Sequence, residues 1–484
     1  MSTEEVALRR LYPADSLQAG QSLHPTVTDV TADPDQPDCP PSIEGWPFIN
    51  EDAYQGLAGA FTRAVEPYSE ADPVGILLHT LVAAGSLIGP GPHVMVEHLP
   101  HYPRTYALLV GKSAIARKGT AWNTLRYVLG HVDEHWILKR VKSGLSSGEG
   151  LVYQVRDPLY DKIPVREGNR KAGNIIGYDD ILSDSGEPDK RLLILESEFA
   201  SPLKVMQRDG NTLSSMLRAA WDHGSLSPLT KNDRIEATGA HISIIGHITR
   251  DELLRSLTVT ERANGFANRF LIILVKRSKF LPSGKGTPPD ILTPYFARFS
   301  RALESARTRG KLARDRETED LWEVEYPKLE NEIPGLTGAV LARAAAQVLR
   351  LSLIYALLDE TEAQRSDPAI RVPHLRAALA LWDYCKASVF SVFGDAVGDA
   401  VGDRLLEAIK SGHNTDSELY EVVGKHGGDK TRKNQALDLL AHFERIHSVT
   451  VPTGGRLLRQ WHLGRERNCA ICAKRRVEGP IPIP

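Results

Sequence analysis

Runs that are apolar at nearly every position, rather than at every second one, mark the middle of this chain. "YALLV" (106–110), "RLLILE" (191–196), "HISIIGH" (241–247) and "FLIILV" (270–275) each predict a strand buried on both faces, the habit of strands in a central parallel sheet. Shorter strand signals stand at 94–98 and 174–178. Helical stretches alternate with these runs, so residues 93–280 predict an α/β layer. Residues 46–91 read as helical, with "YSEAD" as a capped start and "GPGP" as a stop. Residues 290–393 read as further helices around an apolar one at 339–358.

Beyond them, "GDAVGDAVGD" (394–403) is a tandem repeat too short to build a repeat fold, and it reads as a hinge. The patterns at 403–411, 415–424 and 430–446 then predict three helices. "HSVTVPTGGRLLRQWHL" (447–463) predicts two strands about a Gly-Gly turn. Three helices and a hairpin at this spacing predict a winged helix. The expected plan is a disordered arm at 1–45, a helical segment at 46–100, a core at 101–289, a helical domain at 290–393, a hinge at 394–402, the winged helix at 403–465 and a basic tail at 466–484.

Composition changes this picture little. With 484 residues, 42% of them hydrophobic and 25% charged, the chain has the material for a full core. A formal net charge of −2 leaves no global basic field, so nucleic-acid contact has to come from local patches. Four cysteines (Cys39, Cys385, Cys469, Cys472) are too few for a disulfide scaffold, and a cytoplasmic location is expected. The first 40 residues are polar and carry no secretory signal. The most apolar run, Val74–Gly89, spans 16 residues and includes His79, Thr80 and Ser86. It reads as a buried core helix, so no membrane partner is expected.

Chemistry enters at "LLVGKSAIARKGTAW" (108–122). A phosphate-binding loop reads G-x-x-x-x-G-K-S/T between a strand and a helix; its main-chain N–H groups and lysine hold phosphates, and its hydroxyl holds Mg²⁺. Here Gly111 ends the strand, Ala116 stands where the second glycine would be, and Arg117 precedes Lys118, Gly119 and Thr120. Lys118 supplies the phosphate charge, Thr120 the metal hydroxyl, Gly119 close approach and Arg117 a second cation. A second parse, Gly111-Lys112-Ser113, lacks the upstream glycine. The plain alternative is a basic surface turn.

Three further strand ends follow in an order that suits an NTPase. "RLLILESEF" finishes a buried run with Glu196 and Glu198. One carboxylate would hold Mg²⁺ and the other would polarise the attacking water, with the division between them open. "HISIIGHIT" ends in His247 and Thr249, where a polar group can sense the γ-phosphate. "ANGFANRFLIILV" puts Arg269 beside a strand, as an arginine finger in cis or in trans. "KSGLSSGEGL" (142–151) offers Glu149 at a helix start, as a phosphate or DNA loop or as the base. Taken singly, these also fit a strand-capping carboxylate, a core histidine, a surface ion pair and a capped turn.

"VGKSAIARKGTAW", "SGLSSGEGL", "LLILESEFASPL", "GAHISIIGHITRDEL" and "GFANRFLIILVKRSKFLP" together resemble a family of phage- and plasmid-type replicative ATPases. That family carries a domain of formally unknown function and is similar to primase-associated helicases. The resemblance covers roughly residues 46–465, and "ARKGT" is the family's own spelling of the loop. It implies an α/β fold with a RecA/AAA-like P-loop NTPase core, ATP as the substrate nucleotide, and a role in replicating or maintaining mobile DNA. No acidic polymerising-primase motif is present, and helicase activity does not follow from the likeness.

The third helix of the predicted winged helix opens "DKTRKN", placing Lys430, Arg432, Lys433 and Asn434 at a helix start. Its inner face reads Ala436, Leu439, Leu440 and Phe443, and Arg456 and Arg459 sit in the wing. Docking of a protein is the alternative to DNA. Cys469 and Cys472 form one CxxC pair, and zinc needs a second pair, so free thiols in the tail are expected. The sequence thus predicts an ATP- and Mg²⁺-dependent, DNA-associated hydrolase, with single-stranded or forked DNA, copies of itself and replication proteins as partners. A nucleotide-switched DNA-binding regulator, or an ATPase acting on protein partners in phage defence, are the alternatives.

Overall fold

The computed structural model describes residues 46–112, 115–166, 174–228, 235–257, 261, 264–333, 335–394, 399–423, 430–442, 445–453 and 456–464. The arm at 1–45, Phe443, the CxxC pair and the tail lie outside them. The elements ahead of the core are α1 (Gly56–Val65), α2 (Pro73–Ile88) and a small antiparallel pair, β1 (Val94–Val96) and β2 (Leu99–His101). The core runs β3 (Tyr106–Val110), α3 (Lys118–Val132), β4 (Val141–Lys142), α4 (Gly148–Tyr153), the hairpin β5 (Leu159–Arg166) and β6 (Ile175–Asp184), β7 (Arg191–Glu196), α5 (Ala200–Met206), α6 (Leu213–Asp222), β8 (His241–Ile248), α7 (Arg250–Ser256) and β9 (Phe270–Leu274).

Five of these strands form one parallel sheet in the order β4-β7-β8-β3-β9. Its continuous apolar runs are explained by burial on both faces: every residue of β3, β8 and β9 is buried. Helix α2 lies against β3, β7 and β8. It is pinned there by His241 Nε2 at 2.9 Å from the Gly85 carbonyl and by Arg191, which donates to the Leu87 carbonyl at 2.9 Å. The strand expected at 174–178 is real but belongs elsewhere. It is part of β6, which among the described residues pairs with β5 alone, and Tyr160, Ile176, Tyr178 and Leu182 of that hairpin are exposed.

The later helices are α8 (Pro289–Arg307), α9 (Arg316–Leu329), α10 (Gly335–Leu341), α11 (Ala344–Leu358) and α12 (Val372–Phe393). They share one hydrophobic core with α1, α2 and the sheet, running from Ala53 to Phe393, so the segments 46–100, 101–289 and 290–393 are not separate cores. The apolar helix expected at 339–358 is broken. Arg343 leaves helical geometry between α10 and α11, and its guanidinium reaches Asp222 at 3.4 Å. The stretch Gly335–Leu358 has the length and apolarity to cross a membrane, yet 78% of its most apolar window is buried inside the protein. Helix α12 covers the open edge of β9, where Ser388 Oγ accepts from Leu274 N at 3.1 Å.

A second, smaller core gathers Leu405, Leu406, Ile409, Leu419, Ala436, Leu437, Leu440, Ile446 and Trp461. It is built from α13 (Ala400–Lys410), α14 (Asp416–Val423), α15 (Lys430–His442) and the antiparallel pair β10 (Ile446–Thr453) and β11 (Arg456–Leu463). The Gly-Asp repeat contributes its cap: Asp399 accepts from Val401 N and Gly402 N, as an N-cap residue does.

Candidate functional site

Two adjacent strands, β3 and β8, end together, with Val110 level with Ile248 and Leu109 with His247. The chain then turns sharply at Gly111, whose N–H continues the ladder to the Ile248 carbonyl at 3.1 Å. A Cβ on Gly111 would stand 2.4 Å from the Val275 carbonyl and 2.8 Å from Ala116 Cβ, so only glycine fits here. The loop folds back on itself through Ala116 N to the Lys112 carbonyl at 3.2 Å. It ends on Arg117, which takes the left-handed region at φ 50°. For a residue other than glycine that conformation is uncommon. Ser113 of the second parse lies outside the described residues.

Lys118 opens α3 and turns its side chain back over the loop. Its Nζ donates to the Gly111 carbonyl at 2.7 Å and the Ile248 carbonyl at 3.0 Å. The ammonium is thus lodged between the ends of β3 and β8, half-buried, with no ion pair among the described residues. Burial pushes it down to about 8, with the Glu252 charge opposing. Glu252 has no strand-end signal of its own in the sequence, although "TRDE" spells the capping box that holds it. It accepts from Thr249 Oγ1 at 2.8 Å and Thr249 N at 3.1 Å. Those bonds hold the Glu252 carboxyl below its usual range.

The neighbouring groups divide into those at this edge and those away from it. Glu196 ends β7, level with Gly246 of β8, and is buried. Its Oε1 accepts from Gly144 N at 2.6 Å and Leu145 N at 2.7 Å, which leaves Oε2 uncommitted among the described residues. Glu198 is exposed just beyond it. With β8 between them, β7 and β3 lie roughly 10 Å apart. Thr120 and Gly119 are exposed in the first turn of α3, and a Cβ at Gly119 would meet nothing. Arg117 points outward, its Nε 2.6 Å from Glu70 Oε2. Glu149 is spoken for by Thr212 Oγ1 at 2.9 Å, and Ser147 caps α4.

His247 is buried at the same edge, and its Nε2 stands 3.0 Å from Nε2 of His79 on α2. The sequence carries no signal for this pair, because His79 lies inside a helix that reads as plain buried core. Arg269 is not brought to the site. It precedes β9, six residues before the level of Gly111, which is roughly 20 Å along a strand. There it is buried against Trp221 and paired with Asp222 at 2.6 Å. Arg343 and Arg350 share that ring, at 5.0 and 3.5 Å from its centre, and Arg104 donates to the Trp221 carbonyl at 3.3 Å. Position at the amino end of a parallel strand is why Arg269 stands away from Lys118 and Glu196 at the carboxyl ends of its own sheet.

In the C-terminal core, Lys430 and Asn434 are exposed at the start of α15. Lys433 is buried, and its Nζ bonds Asp416 Oδ1 at 2.8 Å. Arg432 is paired with Asp399, the cap of α13. The spacing 433, 437, 440 places Lys433 on the apolar face, and Leu437 replaces Leu439 as the deeper core residue. Arg456 opens β11 opposite Thr453, and Arg459 stacks on Trp461 at 4.1 Å.

Among the described residues, no group of three or more His, Cys, Asp or Glu side chains could hold a metal alone. A hydroxyl and one carboxylate fit Mg²⁺ carried by a phosphate, since that ion keeps water and substrate oxygens in most positions. A large groove, about 980 Å³ and lined by Lys328, Gly338, Trp382 and Lys386, is apart from all these groups. No protein-family model matches the chain, and no curated protein matches it.

Proposed function

We propose that this chain is a P-loop nucleoside triphosphatase of the RecA/AAA-like class that acts with DNA. The observation that carries the reading is Lys118, an ammonium bonded to main-chain carbonyls at the ends of two adjacent parallel strands. Connections leaving those strands run in opposite directions across the sheet, β3 toward β4 and β8 toward β9. That is the condition under which open α/β sheets bind ligands at strand ends. Lys118 would take the terminal phosphates of ATP, with Arg117 released from Glu70 as a second cation. Thr120 and Glu196 would hold Mg²⁺, which supplies charge neutralisation on the phosphates when bound. Glu198, exposed beside them, would polarise water.

The three-helix unit with its hairpin supports a winged helix, with Lys430, exposed at the start of α15, as the phosphate contact. Engagement of Arg432 and Lys433 in internal pairs favours one alternative, in which that unit docks a protein and the ATPase acts on protein partners. Titration calorimetry with Mg·ATP tests the central reading. Wild type should bind, and Lys118→Ala should weaken binding by about a hundredfold, the loss of one charge-assisted contact. Equal binding by both would remove the lysine from the site.

A further inference from the structure

The buried pair His79–His247 has only one arrangement of protons that satisfies its contacts. The Nε2 atoms are 3.0 Å apart, so one donates and the other accepts. His79 Nδ1 lies 2.6 Å from the Gly75 carbonyl, which can only accept, so His79 carries its proton on Nδ1. Burial pushes His79 down to about 4, so at neutral pH it holds no second proton. Its Nε2 is therefore a bare acceptor, and His247 donates from Nε2. Burial, His79 and the Lys118 charge hold His247 well below the usual imidazole range, so its Nδ1 is bare in turn. That atom is not among the sealed, unpartnered nitrogens, unlike Nδ1 of His241 and His101. It is therefore not sealed off, and Lys118 is near enough for its charge to act on the ring.

We propose that His79 is a positioning residue that locks His247 as the Nε2–H tautomer, so that His247 presents a lone pair at the carboxyl edge of β8 and orients the attacking water by accepting its hydrogen bond. The inference rests on the ATPase reading above, adding a second acceptor to the water that Glu198 would polarise, and it departs from the phosphate-sensing role that the sequence suggests for His247. A lone pair cannot donate to a phosphoryl oxygen, so His247 acts on water rather than as a phosphate sensor. No proton transfer is assigned to it; the hydrogen bond alone fixes the water's direction. Tautomer control by a buried partner is the logic by which an orienting group supports a catalytic histidine.

The full chain labelled with ¹⁵N-histidine tests this in two readouts. Long-range ¹H–¹⁵N spectra without nucleotide should show His79 protonated on Nδ1 and His247 on Nε2, assigned by loss of each signal in His79→Leu and His247→Phe. The opposite tautomers, or an imidazolium at either residue, would overturn the assignment. His79→Leu should lower kcat for ATP about ten- to a hundredfold with KM unchanged, the scale on which supporting groups act. His79→Gln, which can place an amide oxygen near the former Nε2, should restore most of the loss. An unchanged kcat in His79→Leu would overturn the positioning role. A wild type that hydrolyses no ATP would overturn the ATPase reading and the water role together, while the spectra would still decide the tautomers.

Discussion

A half-buried ammonium held by two carbonyls is a group with a measurable signature. Lys118 titrates near 8 instead of 10.5 because water is withdrawn from it. Between those values the unfolded chain binds more protons than the folded one, so this lysine makes stability rise with pH from about 8 to 10.5 and costs stability below. Phosphate would draw its pKa upward, so ATP binding should be flat in pH below about 7 and weaken about tenfold per unit once pH passes 8, read by calorimetry. Glu196→Ala gives a second test at this scale. It leaves the N–H groups of Gly144 and Leu145 without their acceptor, and should lower stability by about 1–3 kcal/mol in denaturant unfolding. Glu196 was legible as a strand end because it lies where an apolar run stops, and Lys118 because a loop between a strand and a helix carries Gly111 and a lysine near phosphate-loop spacing. His79 and Glu252 were not legible as site residues, one being a lone histidine in an apolar helix and the other only a capping letter.

Elements decide which basic residues face outward. Helix α15 buries Ala436, Leu437 and Leu440, and one turn earlier that face carries Lys433. If the C-terminal unit binds DNA, Lys430→Ala should reduce the slope of log affinity against log salt by about one and leave stability unchanged. Lys433→Ala should do the reverse, lowering the melting temperature with the salt slope intact. The three helices and two strands were legible here because each has its own apolar period, yet a charge at a helix start looks exposed until the inner face is set in register. The hairpin of β5 and β6 was only half legible for a related reason. With both faces toward solvent, no burial enforces the period-two alternation that betrays a strand.

Across the whole molecule, the parallel sheet separates two kinds of charge. Lys118 and Glu196 stand at its carboxyl ends, while Arg104, Arg269, Arg343 and Arg350 surround Trp221 and Asp222 at its amino ends. Sequence order put Arg269 just ahead of a strand, hence at its amino end, but gave no sign of Asp222 and Trp221, the partners that hold it there. Asp222→Asn should therefore destabilise the fold by about 3 kcal/mol, by leaving Arg269 buried without its counter-charge, while KM for ATP stays unchanged. ATP hydrolysis by purified wild type and by Lys118→Ala, each with and without single-stranded DNA, is the most direct measurement. Hydrolysis that requires Lys118 and rises with DNA is the predicted result. Turnover that survives Lys118→Ala, or no turnover by wild type under either condition, would contradict the claim that this edge of the sheet is an ATPase site.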